Sequence, residues 1–468
     1  MKVRNPRTGL YDYEIEPLSA EALVEKANQM RNAQKEWFKA GIDFRISTLQ
    51  KWKNEVNNLK NELIEALCID TGRKWETVLE VDLVASSIDR WCAISKDFFA
   101  ESPRKTSSIP FLDIEQALVP YSLVGVISPW NFPLLLSLID TIPALLAGSA
   151  VLVKPSEVAP RFIKVLQQSI NEVPELSGIL NYLEGAAETG AKLCEITDLI
   201  CFTGSTTTGR KVYQAACDNF IPVFLELGGK DAVIVTQTAD IDRATSAVLW
   251  GSVANAGQSC LSIERVYVHQ SIFLPFVSKL VGKANQLNLA FPERDSGQIG
   301  PIISDKQVAI INDHLQDAIE KGASLKAGSS FCEEMKGGFY CRPTVLTNIT
   351  HEMKVMSEET FGPIMPIMPF KEIQEAINLA NDSKYGLSGA VFAGTEEEAL
   401  SIAKQLKCGA ISINDAALTA VMHEGEKNSF KLSGIGGTRM GPSAIKRFMK
   451  QKAYLINTSQ VKDPWWFS

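Results

Sequence analysis

The chain has 468 residues, 45% of them hydrophobic and 22% charged, a composition that sets it among soluble globular proteins with roughly two to four structural units. A net charge of −7 without any Lys/Arg cluster argues against a nucleic-acid surface. Nine scattered cysteines without a C-x-x-C, and four histidines without ligand spacing, point away from a disulfide framework, a zinc ribbon or any metal site and towards a reducing, cytoplasmic compartment.

The opening segment "MKVRNPRTGLYDYEIEP" lacks the apolar region of a signal peptide. Apolar residues recur at helical spacing over about 18–65, and this reads as one long amphipathic helix with Ser19 as its cap. Helical character continues over about 75–102 and stops in "SPRKTSSIP". The period then changes. "YSLVGVISPW", "SAVLVKPSE", "LICFTGSTTTGRKVYQAA" and "PVFLELGGKDAVIVT" read as buried strands, each ending in a proline or glycine turn. "PLLLSLIDTIPALLAGSAVLV" is the most apolar stretch, but Asp140, Pro143 and Gly148 interrupt it, so a buried helix followed by a strand fits better than a membrane span. From about 240 the alternation resumes with a helix through Leu249, the strand "ERVYVHQ", the helix "SIFLPFVSKLVGKANQL", and then "GAVFAG", "EEEALSIAKQL" and "CGAISIND". Strands alternating with helices predict an α/β fold with mostly parallel sheets. The tail ends in Trp465, Trp466 and Phe467, an apolar group that suits a subunit contact, with packing on its own chain as the alternative.

Chemistry concentrates in a few segments. Cys260 closes "NAGQSC", where Gly257 and Ser259 leave room for another molecule. Most buried cysteines are inert, yet a thiolate is a strong nucleophile towards carbonyl carbon. Asn131 in "PWNFP" offers amide donors to an oxyanion, or is an ordinary turn residue. Glu226 in "LELGGK" ends an apolar run and is a candidate base, or a charged strand end. "FTGSTTTG" joins a strand to a helix, a junction that presents free N–H groups to an anion, although its glycines match neither the dinucleotide fingerprint nor the P-loop. Lys154 and Glu157 stand just past a strand end, where open α/β sheets bind ligands. A carboxylate at 157 suits ribose hydroxyls and repels a 2′-phosphate, which favours NAD over NADP.

Taken in order, "PWNFP" (129–133), "KPSE" (154–157), "FTGST" (202–206), "ELGGK" (226–230), "NAGQSC" (255–260), "EETFGP" (358–363) and "YGLSGAVF" (385–392) strongly resemble the aldehyde dehydrogenase superfamily. The resemblance implies Cys260 as nucleophile, Asn131 and the Cys260 N–H as oxyanion hole, and Glu226 as the base that activates water. It assigns Lys154 and Glu157 to the adenosine ribose, Gly204 and Ser205 to the pyrophosphate, and Glu359 and Phe361 to the nicotinamide riboside. Trp130 and Leu227 complete the cofactor set. It further implies a Rossmann-like cofactor domain (1–105 and 122–228), an α/β catalytic domain (229–428), a return segment (429–449), and a small β oligomerisation arm (106–121 and 450–468) that makes a homodimer or homotetramer.

Two departures stand out. "GEKNSF" (425–430) replaces the Pro-Phe-Gly-Gly-type run that helps wall the substrate entrance in the family, and Asp231 stands where relatives carry Asn or Ser, with little effect expected. Phe132, Leu135, Leu136 and Ile139 share one helical face, which by resemblance lines the substrate tunnel and otherwise is plain core. With Ala254 and Ser259 near the cysteine, the lining suits long aliphatic, aromatic or terpenoid-like aldehydes. It argues against betaine aldehyde, whose cation favours an aromatic cage. Two other functions compete: acyl transfer to coenzyme A, which needs no water-activating base, and a non-catalytic binding or structural protein on the same fold. Retention of Glu226, Asn131 and Cys260 counts against both.

Overall fold

The computed structural model describes residues 1–99 and 104–461. Two parallel sheets organise it. The first has the spatial order Gly434–Ile435, Val223–Glu226, Leu199–Thr203, Leu123–Ile127, Ala150–Lys154, Leu180–Tyr182, parallel except at the Gly434–Ile435 edge. The second runs Ser324–Ala327, Thr344–Thr347, Ile364–Phe370, Ile263–His269, Asp231–Val235, Ser388–Phe392, Ala410–Ile413, with only its first pair antiparallel. Strands 123–127, 150–154 and 199–203 are buried throughout, as continuous apolar runs require when helices cover both faces. Each sheet centres its own hydrophobic core. The chain passes from the carboxyl end of Val223–Glu226 directly to the amino end of Asp231–Val235, so the carboxyl edge of one sheet faces the amino edge of the other.

The expected long helix over 18–65 is instead three helices, Ala20–Lys39, Gly41–Asn58 and Lys60–Thr71. Gly41 takes a φ of +86° and Leu59 leaves helical geometry (φ −100°, ψ 17°), so the apolar stripe turns twice while staying on the core. Ser19 caps the first of them by accepting the Ala22 N–H at 3.2 Å. Trp37 Nε1 and Arg45 Nε donate to the carbonyls of Leu145 and Leu146 and fasten these helices to the buried helix Pro133–Ala147. No helix among the described residues is long and apolar enough to cross a membrane. Asp140, in the middle of that apolar helix, is paired with Arg439 (2.7 Å) and Arg447 (3.2 Å).

Met449–Asn457 pairs antiparallel with Leu112–Pro120 along nine residues, and Lys105–Thr106 adds a short third strand. This sheet is open to solvent and exposes Val119, Tyr454 and Leu455. The aromatic tail at 465–467 lies outside the described residues.

Candidate active site

Cys260 sits at the end of a turn in which three successive residues, Asn255, Ala256 and Gly257, adopt φ of +55°, +52° and +72°. Left-handed backbone at Asn and Ala persists only where the surroundings enforce it, and here they do. The Asn255 N–H donates to Glu76 Oε1 at 3.0 Å, and its Nδ2 donates to the carbonyls of Asn131 and Gln258, each at 3.0 Å. At Gly257 an added Cβ would stand 2.2 Å from the Gly362 carbonyl carbon, so the turn lies backbone to backbone against the 358–363 segment. At Gly229 an added Cβ would lie 2.4 Å from the Cys260 carbonyl oxygen, which brings "ELGGK" equally close. Glycine at these two positions is what allows three distant segments to converge.

Asn131 is buried and donates through Nδ2 to the Gln258 carbonyl at 3.0 Å, which leaves its second amide hydrogen free. Gln258 accepts the Ile303 N–H at 2.8 Å and donates to the Asn255 carbonyl at 3.0 Å, locking the loop that leads to the thiol. Burial pushes the Cys260 thiol up to about 12. The nearby Lys427 ammonium opposes this, and Glu359, Asp231 and Glu226 reinforce it. Glu226 ends its strand with Oε2 accepting the Ser429 hydroxyl at 2.7 Å.

The candidate cofactor residues gather along the carboxyl edge of the first sheet, at the point where strand order reverses around Leu123–Ile127. Lys154 is buried and donates to Glu157 at 2.9 Å. Burial works against Glu157 ionising, but the charge and hydrogen bond of Lys154 outweigh it and hold the carboxyl below its usual range. Gly204 follows the strand Leu199–Thr203, and Ser205 caps the helix Thr206–Asp218 by accepting the Thr208 N–H at 3.2 Å. The Leu227 side chain packs against Gly209 of that helix. Trp130 and Phe361 meet edge to face with centroids 5.5 Å apart. Glu359 accepts the Gly229 N–H at 3.0 Å; burial, with Glu264 nearby, pushes its carboxyl up to about 8. A carboxylate paired with a lysine just past a strand end, a helix N-terminus capped by Ser205 and a pair of aromatic rings are groups of the kind that suit a nicotinamide dinucleotide.

On the helix Pro133–Ala147 and in the residue before it, Phe132, Leu135 and Leu136 are half-buried whereas Ile139 is buried. Ala254, Ser259 and Cys260 are likewise half-buried. The Arg73 guanidinium lies 4.5 Å over the Phe132 ring.

Several supporting residues escape sequence reasoning. Glu80 Oε1 accepts the Leu135 N–H at 2.8 Å, so a helix without a side-chain cap of its own has its N-terminus satisfied from the helix Trp75–Phe98. Glu76, one turn earlier, holds Asn255. Lys230 and Glu264 form a buried pair at 2.6 Å, and Glu264 also accepts the N–H groups of Thr360 and Phe361 at 2.8 Å each, fixing the loop that carries Phe361. The available signal was a lone acid in an apolar strand and an i, i+4 acidic pair on a helix; both read more simply as solvated charge. Asp231 is not idle either. It is buried and accepts both the backbone N–H (3.0 Å) and the hydroxyl of Ser388, tying the starts of two neighbouring strands; its carboxyl rises to about 7 through burial.

Two mostly parallel sheets, the first reversing its strand order around Leu123–Ile127, define an α/β protein of the dinucleotide-binding type. The comparisons make this specific. The model of the aldehyde dehydrogenase family matches residues 1–454, and the chain belongs to that family, whose members oxidise aldehydes. It is 36% identical to the 4,4'-diapolycopene aldehyde oxidase of a Methylomonas species, over 96% of this chain and 85% of the relative. A putative aldehyde dehydrogenase from Anabaena variabilis superposes with a TM-score of 0.98 at 57% identity and full coverage of both chains. A betaine aldehyde dehydrogenase of Staphylococcus aureus, solved with NAD+, gives a TM-score of 0.92 at 28% identity, covering 100% of this chain and 96% of that one.

Proposed function

We propose that this chain oxidises an apolar aldehyde to its carboxylic acid with NAD, through a covalent adduct on Cys260. The observation that carries the reading is the convergence of Asn131, Glu226 and Cys260 on segments locked backbone to backbone by Gly229 and Gly257. The Cys260 sulfur gives up its proton to solvent and adds to the aldehyde carbon. The free N–H of Asn131 and the Cys260 N–H receive the developing oxyanion, and donors of this kind are typically worth about 3–4 kcal/mol. NAD held by Lys154, Glu157, Gly204, Ser205, Trp130, Leu227, Glu359 and Phe361 would supply the hydride acceptor. Glu226 then takes a proton from water as it adds to the thioester, and the thiol is released with the acid.

The Glu157 carboxylate disfavours a 2′-phosphate, which supports NAD. Glu226 at the site supports hydrolysis over acyl transfer to coenzyme A. The half-open apolar face of Phe132, Leu135 and Leu136, beside Ala254 and Ser259, supports long aliphatic, aromatic or terpenoid-like substrates. The residues fall into a cofactor domain, a catalytic domain and an arm at the boundaries given above. Exposed Val119, Tyr454 and Leu455 on the arm support a homodimer or homotetramer, and nine free cysteines support a cytoplasmic setting. The test is NADH absorbance with short aliphatic, long aliphatic and aromatic aldehydes, each with NAD and NADP. The expected result is the highest kcat/KM with a long or aromatic aldehyde and NAD, lost in Cys260→Ala. An unchanged rate in that variant would refute the reading.

A further inference from the structure

The departure "GEKNSF" does more than remove two glycines. It places a hydroxyl on the candidate base. The Ser429 Oγ–H donates to Glu226 Oε2 at 2.7 Å, while Glu226 Oε1 has no hydrogen-bond partner among the described residues. The position of Ser429 is set by backbone on both sides. The Lys427 N–H donates to Thr438 Oγ1 at 3.0 Å, Phe430–Lys431 pairs with Tyr385–Gly386, the Ser433 carbonyl accepts the Leu227 N–H at 2.8 Å, and Gly434–Ile435 pairs with Leu225 and Glu226. The strap over 427–435 is thus bonded on either side of the carboxylate that its serine touches.

We propose that Ser429 is a positioning residue for Glu226: it holds Oε2 by one charge-assisted hydrogen bond and leaves Oε1 as the oxygen that takes the proton from water during thioester hydrolysis. The inference rests on the reading of Glu226 as the water-activating base. In that step the water oxygen bonds to the acyl carbon, one water proton passes to Oε1, the C–S bond breaks, and the sulfur leaves with the bonding pair. A carboxylate free to rotate presents either oxygen in any direction; one fixed at Oε2 presents Oε1 in one. The charged and titratable groups around Glu226 come from separate elements. Arg439, paired with Asp140, acts from the loop preceding residues 442–448, and the Cys260 thiol from the turn at 255–260. Lys431 on the strap is engaged by the carbonyls of Asn381 and Ser383. Ser429 is the neutral member of this set and the one in direct contact with the carboxylate.

The test isolates deacylation. The full chain is acetylated with p-nitrophenyl acetate, excess ester is removed, and loss of the acetyl group specifically from the peptide carrying Cys260 is followed at pH 7 by digestion and mass spectrometry. In Ser429→Ala the acetyl-enzyme is expected to form normally and to decay about tenfold more slowly at pH 7. Ser429→Thr, which keeps the hydroxyl, is expected to restore the decay rate. Decay in Ser429→Ala within about twofold of the unaltered chain would overturn the inference. Glu226→Gln separates the two ideas: if its acetyl-enzyme decays at the unaltered rate, the role of Glu226 itself fails and the positioning role falls with it.

Discussion

The state of the Cys260 thiol before any ligand binds gives a quantitative prediction. Burial raises it to about 12, against about 8.5 for an ordinary cysteine. At pH 8 the thiolate fraction is then roughly one in ten thousand, compared with about one in four for an ordinary thiol, a ratio on the order of a thousand. Iodoacetamide reacts with the thiolate, so the labelling rate follows the thiolate fraction. The cofactor-free chain is labelled at half-unit intervals from pH 6 to 10, digested, and the peptide carrying Cys260 is quantified against that carrying the exposed Cys217. Labelling of Cys260 is expected to be about a thousandfold slower than an ordinary thiol at pH 8 and to rise about tenfold per pH unit without a plateau. Lys427→Met removes the charge that opposes burial and is expected to slow labelling further at every pH. A plateau with a midpoint below pH 8, or faster labelling in Lys427→Met, would refute the reasoning.

Other expectations follow from single contacts. Asn131→Ala removes the amide that fastens Gln258 and is proposed to receive the oxyanion, so kcat is expected to fall about 100- to 1,000-fold in steady-state NADH assays, with a smaller change in KM. Asp140→Asn leaves two buried guanidiniums, Arg439 and Arg447, without their counter-charge; a loss of about 3–5 kcal/mol is expected as a lowered urea midpoint.

The parts legible in sequence were those encoded locally. Apolar runs ending at Lys154, Thr203 and Glu226 gave strands whose carboxyl ends carry the candidate cofactor residues, and short motifs placed Cys260, Asn131 and Glu359 at one site. What escaped is encoded by contacts across long stretches of chain. Glu76 and Asn255 are 179 positions apart and Ser429 lies 203 from Glu226, and nothing in the neighbourhood of Glu76 marks it as buried rather than solvated. The division of the first long helix escaped for another reason: the apolar period runs through Gly41 and Leu59 almost unbroken, because the separate helices all face one core. Asp231 was undervalued because a charged residue at a strand end is usually exposed, whereas Ser388 on the adjacent strand gives it two donors.

The central claim, a covalent bond between Cys260 and the substrate carbon, is tested most directly by trapping it. Glu226→Gln mixed with NAD and a long-chain aldehyde, acid-quenched within a second and digested, should yield the acyl group on the peptide containing Cys260, in an amount approaching one per chain. Equal turnover with no acyl group on that peptide, or with the group on another of the nine cysteines, would contradict the account.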